Sequence, residues 1–359
     1  MTSIDIARSR LYNQQICRST LHSPEEVVRW MGAVQAQEYA GGLWSIGLRL
    51  PGTTVRDIEQ AISDRKIVRT WPMRGTLHFV PAKDAKWMLG LLTPRVIIKF
   101  EKRRKELGID QETLDRSRTL FTGELAGGRH LTREGMFQAL AKAGISPDGQ
   151  RGYHIIAYLA HQGLVCFGTR EGKQQTFVLL DEWVGESEDP GRDEALAEIA
   201  RRYFTSHGPA TVQDFSWWTG LSAADARAGI AGAGSGLSEE TIDGKRYWTG
   251  ANVDVPPMPD LPGAHLLQPY DEYLVAYKDR SAVFDPAFVA KIDQRRPASP
   301  FLIDGQVLGT WRKETRKDGI VVRTRPYRPL TARENEALSA AVHRYGEFLG
   351  IPAGLARGP

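Results

Sequence analysis

The stretch GAVQAQEY, Gly32 to Tyr39, sets the carboxamides of Gln35 and Gln37 two positions apart at the end of an apolar run. Glu38 is the one carboxylate beside them, and the stretch holds no cysteine or histidine. A carboxamide both donates and accepts hydrogen bonds, so it can orient a water, but it is no strong base. On a helix, residues two apart point about 200° from each other, whereas on an extended segment they share a face. If both amides serve one site, the preceding helix must end near Val34, and Gly41 and Gly42 just beyond permit that. Glu38 then points to the opposite face. The structural alternative is a pair of surface amides closing a helix.

Three further stretches mix residue types suited to a polyanion. RTWPMRGTLHFV carries Arg69, Trp71, Arg74 and His78, with Gly75 permitting close backbone approach. Trp71 could stack on a base, and Arg74 could meet a phosphate or a base edge. The alternative, preferred for the apolar members but not for the two arginines, is that Trp71, Met73, Leu77 and Phe79 are core, with His78 a satisfied neighbour. QPYDEYLVAYKDRS gathers Asp271, Glu272 and Asp279 with Lys278 and Arg280. A carboxylate there serves acid–base chemistry or fixes a cation, and the preferred reading pairs Asp271 or Asp279 with an arginine. LGTWRKETRK joins Trp311 to Arg312 and Lys313, which suits a nucleic-acid backbone.

These residues must be positioned by a chain of 359 residues, 41% hydrophobic and 25% charged, the profile of a soluble globular protein of two to four units. No apolar run approaches the roughly 20 residues of a membrane span, and the N-terminus lacks a signal-peptide core. Cys17 and Cys166 make neither a disulfide framework nor a metal site, so no metal or cofactor is expected. A cytoplasmic protein is the expectation. The net charge is only +4, but it is clustered. Between Arg69 and Lys105 ten cations, among them Lys102, Arg103 and Arg104, face only Asp84 and Glu101, a local +8. Between Arg312 and Arg328 seven cations face Glu314 and Asp318, a local +5. Such blocks suit DNA, though a solvated helix face would also carry KFEKRRKEL.

Turn and cap signals organise the chain into three units of one plan. SHGPATVQDFSWWTGLS predicts a helix ended by Gly220, and Ser222 caps the next. LSEETIDGKRYWTG predicts a hairpin turning at Asp243–Gly244. Helix, tight turn, helix and hairpin make a winged helix-turn-helix. LTREGMFQALAKAGI, GYHIIAYLAHQGLV and CFGTREGKQQTFVLL repeat the plan with Thr132 as cap; SPEEVVRWMGAV, TVRDIEQAISDRKI and VRTWPMRGTLHFV do so again with Ser23. VDVPPMPDLPG reads as a linker, HLLQPYDEYLVAY, PFLIDGQVLGTW and GIVVRTRPY as short strands, and 331–349 as a closing helix with a disordered tail. The expected units are 1–108 with the glutamine motif, 109–188, 189–255, and a β-rich C-terminal element over 256–359, an α+β protein.

VQAQ, WPMRGTLHFV, PYDEYLVAYKDRS and GTWRK, in this order, resemble the AlkZ-like family of winged-helix DNA glycosylases over nearly the whole chain. The resemblance implies three tandem winged helices and a β-rich element, C-shaped around a basic channel for double-stranded DNA. It implies base excision repair of alkylation damage, with excision of N7- or N3-alkylpurines and, in some members, unhooking of interstrand crosslinks. The family motif of Gln, an aliphatic residue, then Gln or Asp falls on Gln35, Ala36 and Gln37, the Gln-Gln form, whose catalytic residues would be Gln35 and Gln37. DNA contacts are then expected from Arg69, Trp71, Arg74, His78, Lys102, Arg103, Arg104, Arg312 and Lys313, with support from Asp271, Lys278 and Arg280. No lysine adjoins the motif, so a monofunctional hydrolase is expected, and three tandem modules need no partner, so a monomer is expected. The competing class is a non-catalytic winged-helix regulator or small-molecule sensor.

Overall fold

The computed structural model describes residues 2–251, 263–291 and 298–356. Helix α1 (Ser3–Asn13) opens on a capping box between Thr2 and Asp5. Ser23 caps α2 (Pro24–Met31) by accepting from the Glu26 N–H, and Gly32, at φ 74°, ends it. The chain then extends as β1 (Val34–Gln35) before α3 (Tyr39–Arg49) and α4 (Val55–Ser63). A hairpin of β2 (Ile67–Met73) and β3 (Thr76–Pro81) follows, then α5 (Ala85–Leu92), α6 (Pro94–Lys99) and α7 (Glu101–Glu106).

This order of helices and hairpin recurs twice. Helix α8 (Gln111–Leu125), the short β4 (Leu131–Thr132), α9 (Arg133–Lys142) and α10 (Arg151–His161) lead into β5 (Val165–Glu171) and β6 (Gln174–Leu179), then α11 (Leu180–Val184). Helices α12 (Arg192–His207), α13 (Val212–Thr219) and α14 (Ala223–Ala233) lead into β7 (Leu237–Ile242) and β8 (Lys245–Gly250). Thr132 caps α9, Gly220 ends α13 in the left-handed region, and Ser222 caps α14, as the sequence predicts. Asp243 and Gly244, both at positive φ, turn the third hairpin.

The first two hairpins share one six-stranded sheet, ordered β1-β3-β2-β5-β6-β4 and joined where Arg69 faces Phe167. Every residue of β2 is buried, because its side chains enter two cores. Val68 and Met73 pack with α5 and α12, whereas Trp71 packs with α8 and α10.

The C-terminal portion comprises β9 (Ala264–Leu266), α15 (Glu272–Val275), β10 (Ser299–Ile303), β11 (Gln306–Arg316), β12 (Gly319–Pro326), α16 (Ala332–Leu349) and β13 (Ala353–Leu355). Its sheet runs β13-β12-β11-β10-β9, antiparallel except for the parallel β12–β13 pair. The chain is thus α+β. Two expectations are corrected. HLLQPYDEYLVAY is not one strand: Asp271 accepts from the Tyr273 N–H and starts a helical turn. Beyond α16 the chain forms β13 rather than a disordered tail. The proline-rich stretch, apart from Gly263, and the boundary at 255/256 lie outside the described residues.

One buried ion pair ties α3 to the start of α15. Arg49 donates from Nη2 to Asp271 Oδ1 at 2.7 Å and from Nη1 to Oδ2 at 3.0 Å, both side chains being wholly buried. Ser45 Oγ adds a bond to Oδ2 at 2.7 Å. Burial disfavours the Asp271 carboxylate, yet these donors hold its pKa below the ordinary range. Removing one partner strands the other charge in a low-dielectric interior. Arg49→Met should therefore cost about 3–5 kcal/mol of stability, read as a lower denaturant midpoint with an unchanged slope.

Candidate active site

The two glutamines lie where the chain leaves α2 and extends. Val34 pairs with Phe79 and Gln35 with His78, and the Ala36 N–H donates to the Leu77 carbonyl at 2.8 Å. Pairing stops there, and side chains take over. Gln35 Oε1 accepts from the Gln37 N–H at 3.0 Å, and Gln37 Oε1 accepts from the Leu77 N–H at 3.2 Å. A backbone N–H can bond only to the amide oxygen, so both carboxamides are oriented. Each oxygen keeps a second lone pair, and both Nε2 groups lack a partner among the described residues. Gln35 is 6% exposed, whereas Gln37 is open to solvent. Glu38 is occupied elsewhere, accepting from the Gly41 N–H to cap α3. Ala36 is buried against that helix: a Cβ on Gly42 would stand 2.9 Å from the Ala36 Cβ, so both positions need small residues.

Three charged groups hold this segment from behind. Arg69, expected at DNA, is instead 6% exposed and donates from Nε and Nη2 to the Ala36 carbonyl at 3.0 and 2.8 Å. Burial pulls its pKa down to about 10, still a cation at neutral pH. Glu272, a residue with no counterpart among the expected contacts, is wholly buried. Its Oε1 accepts from the Gln35 N–H at 2.8 Å and its Oε2 from Trp218 Nε1 at 2.9 Å. Burial pushes its pKa up to about 7. Arg74, at the β2–β3 turn, faces Glu272 electrostatically and donates toward His78 Nε2 at 3.3 Å. His78 Nδ1 lies 3.0 Å from the Thr76 carbonyl, so Nδ1 carries the proton.

Several expected surface residues are inside the protein. Trp71 is 2% exposed, its ring 5.0 Å from that of Phe167, and no face is left for a base. His78 is fully buried, and burial lowers its pKa to about 3, so it offers no cation to a phosphate. Arg104 packs over Tyr158 and donates to the Ile97 carbonyl. The first basic block is therefore split by its need to satisfy buried carbonyls and rings. Asp271 is consumed by Arg49, the arginine pairing that the sequence favoured, whereas Asp279 pairs with Lys245. Lys102, Arg103, Arg312, Lys313, Lys278 and Arg280 remain exposed. Arg280 adds its charge to that of Arg74. The exposed aromatic beside Arg74 is Trp217, 47% exposed, whose carbonyl lies 3.4 Å from Arg74 Nη1.

Burial of ionisable groups makes stability depend on pH. His78, His207 and His265 are each lowered to about 3, chiefly by desolvation. Their contribution is present above pH 6.5 and is lost as pH falls toward 3, because the unfolded chain binds protons first. Glu272 acts with the opposite sign. Its folded acid form persists to about 7 against an ordinary 4.5, so stability declines as pH rises through that window, by about 3 kcal/mol in total. In urea melts from pH 4.5 to 7.5, Glu272→Gln should gain on the parent by that amount as pH rises.

The family model described as DNA glycosylase AlkZ-like matches residues 28–348. A curated protein of Streptomyces sahachiroi, named interstrand DNA cross-link repair glycosylase, is 26% identical over 321 residues, 84% of this chain and 85% of that one. Among solved structures, the Streptomyces sahachiroi DNA glycosylase AlkZ superposes with a TM-score of 0.82 at 21% identity, over 99% of this chain and 100% of that chain, a likeness of fold.

Proposed function

This chain belongs to the AlkZ-like family of DNA glycosylases, and from that premise we propose that it hydrolyses the N-glycosidic bond of purines made cationic by alkylation at N7 or N3 in double-stranded DNA. The observation that carries the reading is the pair of oriented carboxamides. Gln35 and Gln37 have their oxygens tied to backbone N–H groups and their amide nitrogens without partners among the described residues.

An alkylated purine already carries positive charge and leaves without being protonated. The remaining task is to hold a water beside the sugar as oxocarbenium character develops. An amide N–H can donate to one lone pair of that water while the other attacks, and an amide oxygen can accept a hydrogen bond from it, the proton itself passing to solvent after attack. Gln37, open to solvent, is the group that meets the water. Gln35, nearly buried, fixes the Gln37 backbone. No lysine lies between Gly32 and Ala40, which agrees with hydrolysis rather than a Schiff base.

We extend the reading to interstrand crosslinks, for whose repair the Streptomyces sahachiroi relative is named. An exposed Gln37 suits a bulky lesion better than a deep pocket would. In this reading the three helix-and-hairpin passes are winged helices of a monomeric, cytoplasmic enzyme, arranged around a basic DNA channel. Lys102, Arg103, Arg312, Lys313, Lys278 and Arg280 supply phosphate contacts, and Trp217 takes the stacking role first expected of Trp71.

Single-turnover release of N7-methylguanine with excess enzyme tests the motif. Gln37→Ala should slow release about a hundredfold, with duplex affinity and fold retained. Gln37→Asp should retain activity. Full activity in the Gln35→Ala, Gln37→Ala double variant would reduce the motif to scaffold. The DNA wall is tested separately: neutralising Lys102 and Arg103 should weaken binding to every duplex alike and flatten the salt dependence by about two units of slope. Trp217→Ala should cost about 1–3 kcal/mol of affinity if its ring stacks on DNA.

A further inference from the structure

The Gln-Gln form of the motif lacks the carboxylate of the Gln-Asp form, yet cations crowd its site. Arg74 and Arg280 act on one another electrostatically beside the motif, and Arg69 lies behind Ala36. As the glycosidic bond breaks, the positive charge of the alkylated purine passes to the sugar while the base leaves neutral, and uncompensated cations nearby disfavour that charge. Arg49 is neutralised by Asp271. Arg74 has one facing carboxylate, Glu272.

We propose that Glu272 is a positioning residue of the reaction, which fixes the Gln35 backbone through Oε1 and, when ionised, cancels the Arg74 charge beneath the Gln35–Gln37 motif. The inference rests on the function proposed above. Its geometry is that of a group held on both oxygens. Gln35 N–H and Trp218 Nε1–H, from segments distant in sequence, converge on one wholly buried carboxyl. Both are donors, so the arrangement accepts the anion without rearrangement.

The groups that face Glu272 set when it ionises. They are Arg74 from the β2–β3 turn, His207 and Tyr203 from α12, Tyr277, and Asp271 on its own segment with Arg49 behind it. His207 Nε2 stands 3.8 Å from Oε2 and has no hydrogen-bond partner among the described residues. Burial keeps His207 neutral to about pH 3, so it supplies no competing cation. Burial holds Glu272 protonated up to about pH 7, against the pull of Arg74 and the Trp218 bond. The counter-charge therefore appears as pH rises through neutrality, and base release should accelerate with it.

The test is single-turnover release of N7-methylguanine between pH 6 and 8 by the parent and by Glu272→Gln. Glutamine keeps an oxygen for the Gln35 N–H but carries no charge. The readout is the ratio of the two rates, in which any titration of the substrate cancels. The ratio should rise about tenfold across this range through one ionisation near 7. A ratio that stays flat with pH would overturn the proposal. Trp218→Phe supplies a second reading, because it removes a donor to the anion while leaving Glu272 in place. Its own rate profile should shift to higher pH, and an unmoved midpoint would also count against Glu272. If the parent itself releases no base, the proposed function fails instead, an outcome distinct from either.

Discussion

The hydrogen bond from the Gln35 N–H to Glu272 is the constraint on which the rest of the site depends. A strand of two residues cannot fix its own course. Its ladder to β3 ends at Ala36, and the next carbonyls would wander without Arg69 and the next side chains without each other. Glu272 in turn is placed by its neighbour Asp271, which starts α15 and is clamped by Arg49. Two adjacent carboxyls thus divide the work. One is neutralised and structural; the other is held by neutral donors and keeps its charge in reserve.

That division explains why so many cations are internal. Arg49, Arg69 and Arg104 each satisfy buried carbonyls or a carboxylate, and none is free to meet a phosphate. The cations left exposed include Lys102 in α7, Lys278 in the loop after α15 and Arg312 in β11. Affinity for a polyanion and electrostatics at the motif therefore draw on largely different residues, but Arg280 belongs to both groups, since it is exposed and also adds its charge to that of Arg74.

Local chemistry was legible in the sequence. Ser23, Thr132, Gly220, Ser222 and the Asp243–Gly244 turn act within a few residues of themselves, and each stands where its type requires. The early end of α2 and the extended backbone at Gln35, with Glu38 occupied elsewhere, match what the sequence required if both amides serve one site. Long-range partnerships were not legible. Trp71 lies in the core, as preferred for the apolar members of its stretch, but Arg69 is buried with it because β2 is covered on both faces. Charge counting placed Arg69 and Arg104 outside because their partners are carbonyls and rings, which carry no sign. Glu272 lies 237 residues from Gln35, and its only local mark was a pair of acids inside an apolar, tyrosine-rich stretch.

The central claim is that neutral amides suffice because the leaving base is already charged. Its most direct measurement compares single-turnover release, by the unaltered protein, of N7-methylguanine and of an uncharged base such as hypoxanthine from otherwise identical duplexes. The account predicts free N7-methylguanine and an unbroken abasic strand, with the uncharged base retained. Equal release of both bases would contradict it, since two carboxamides cannot protonate a neutral leaving group.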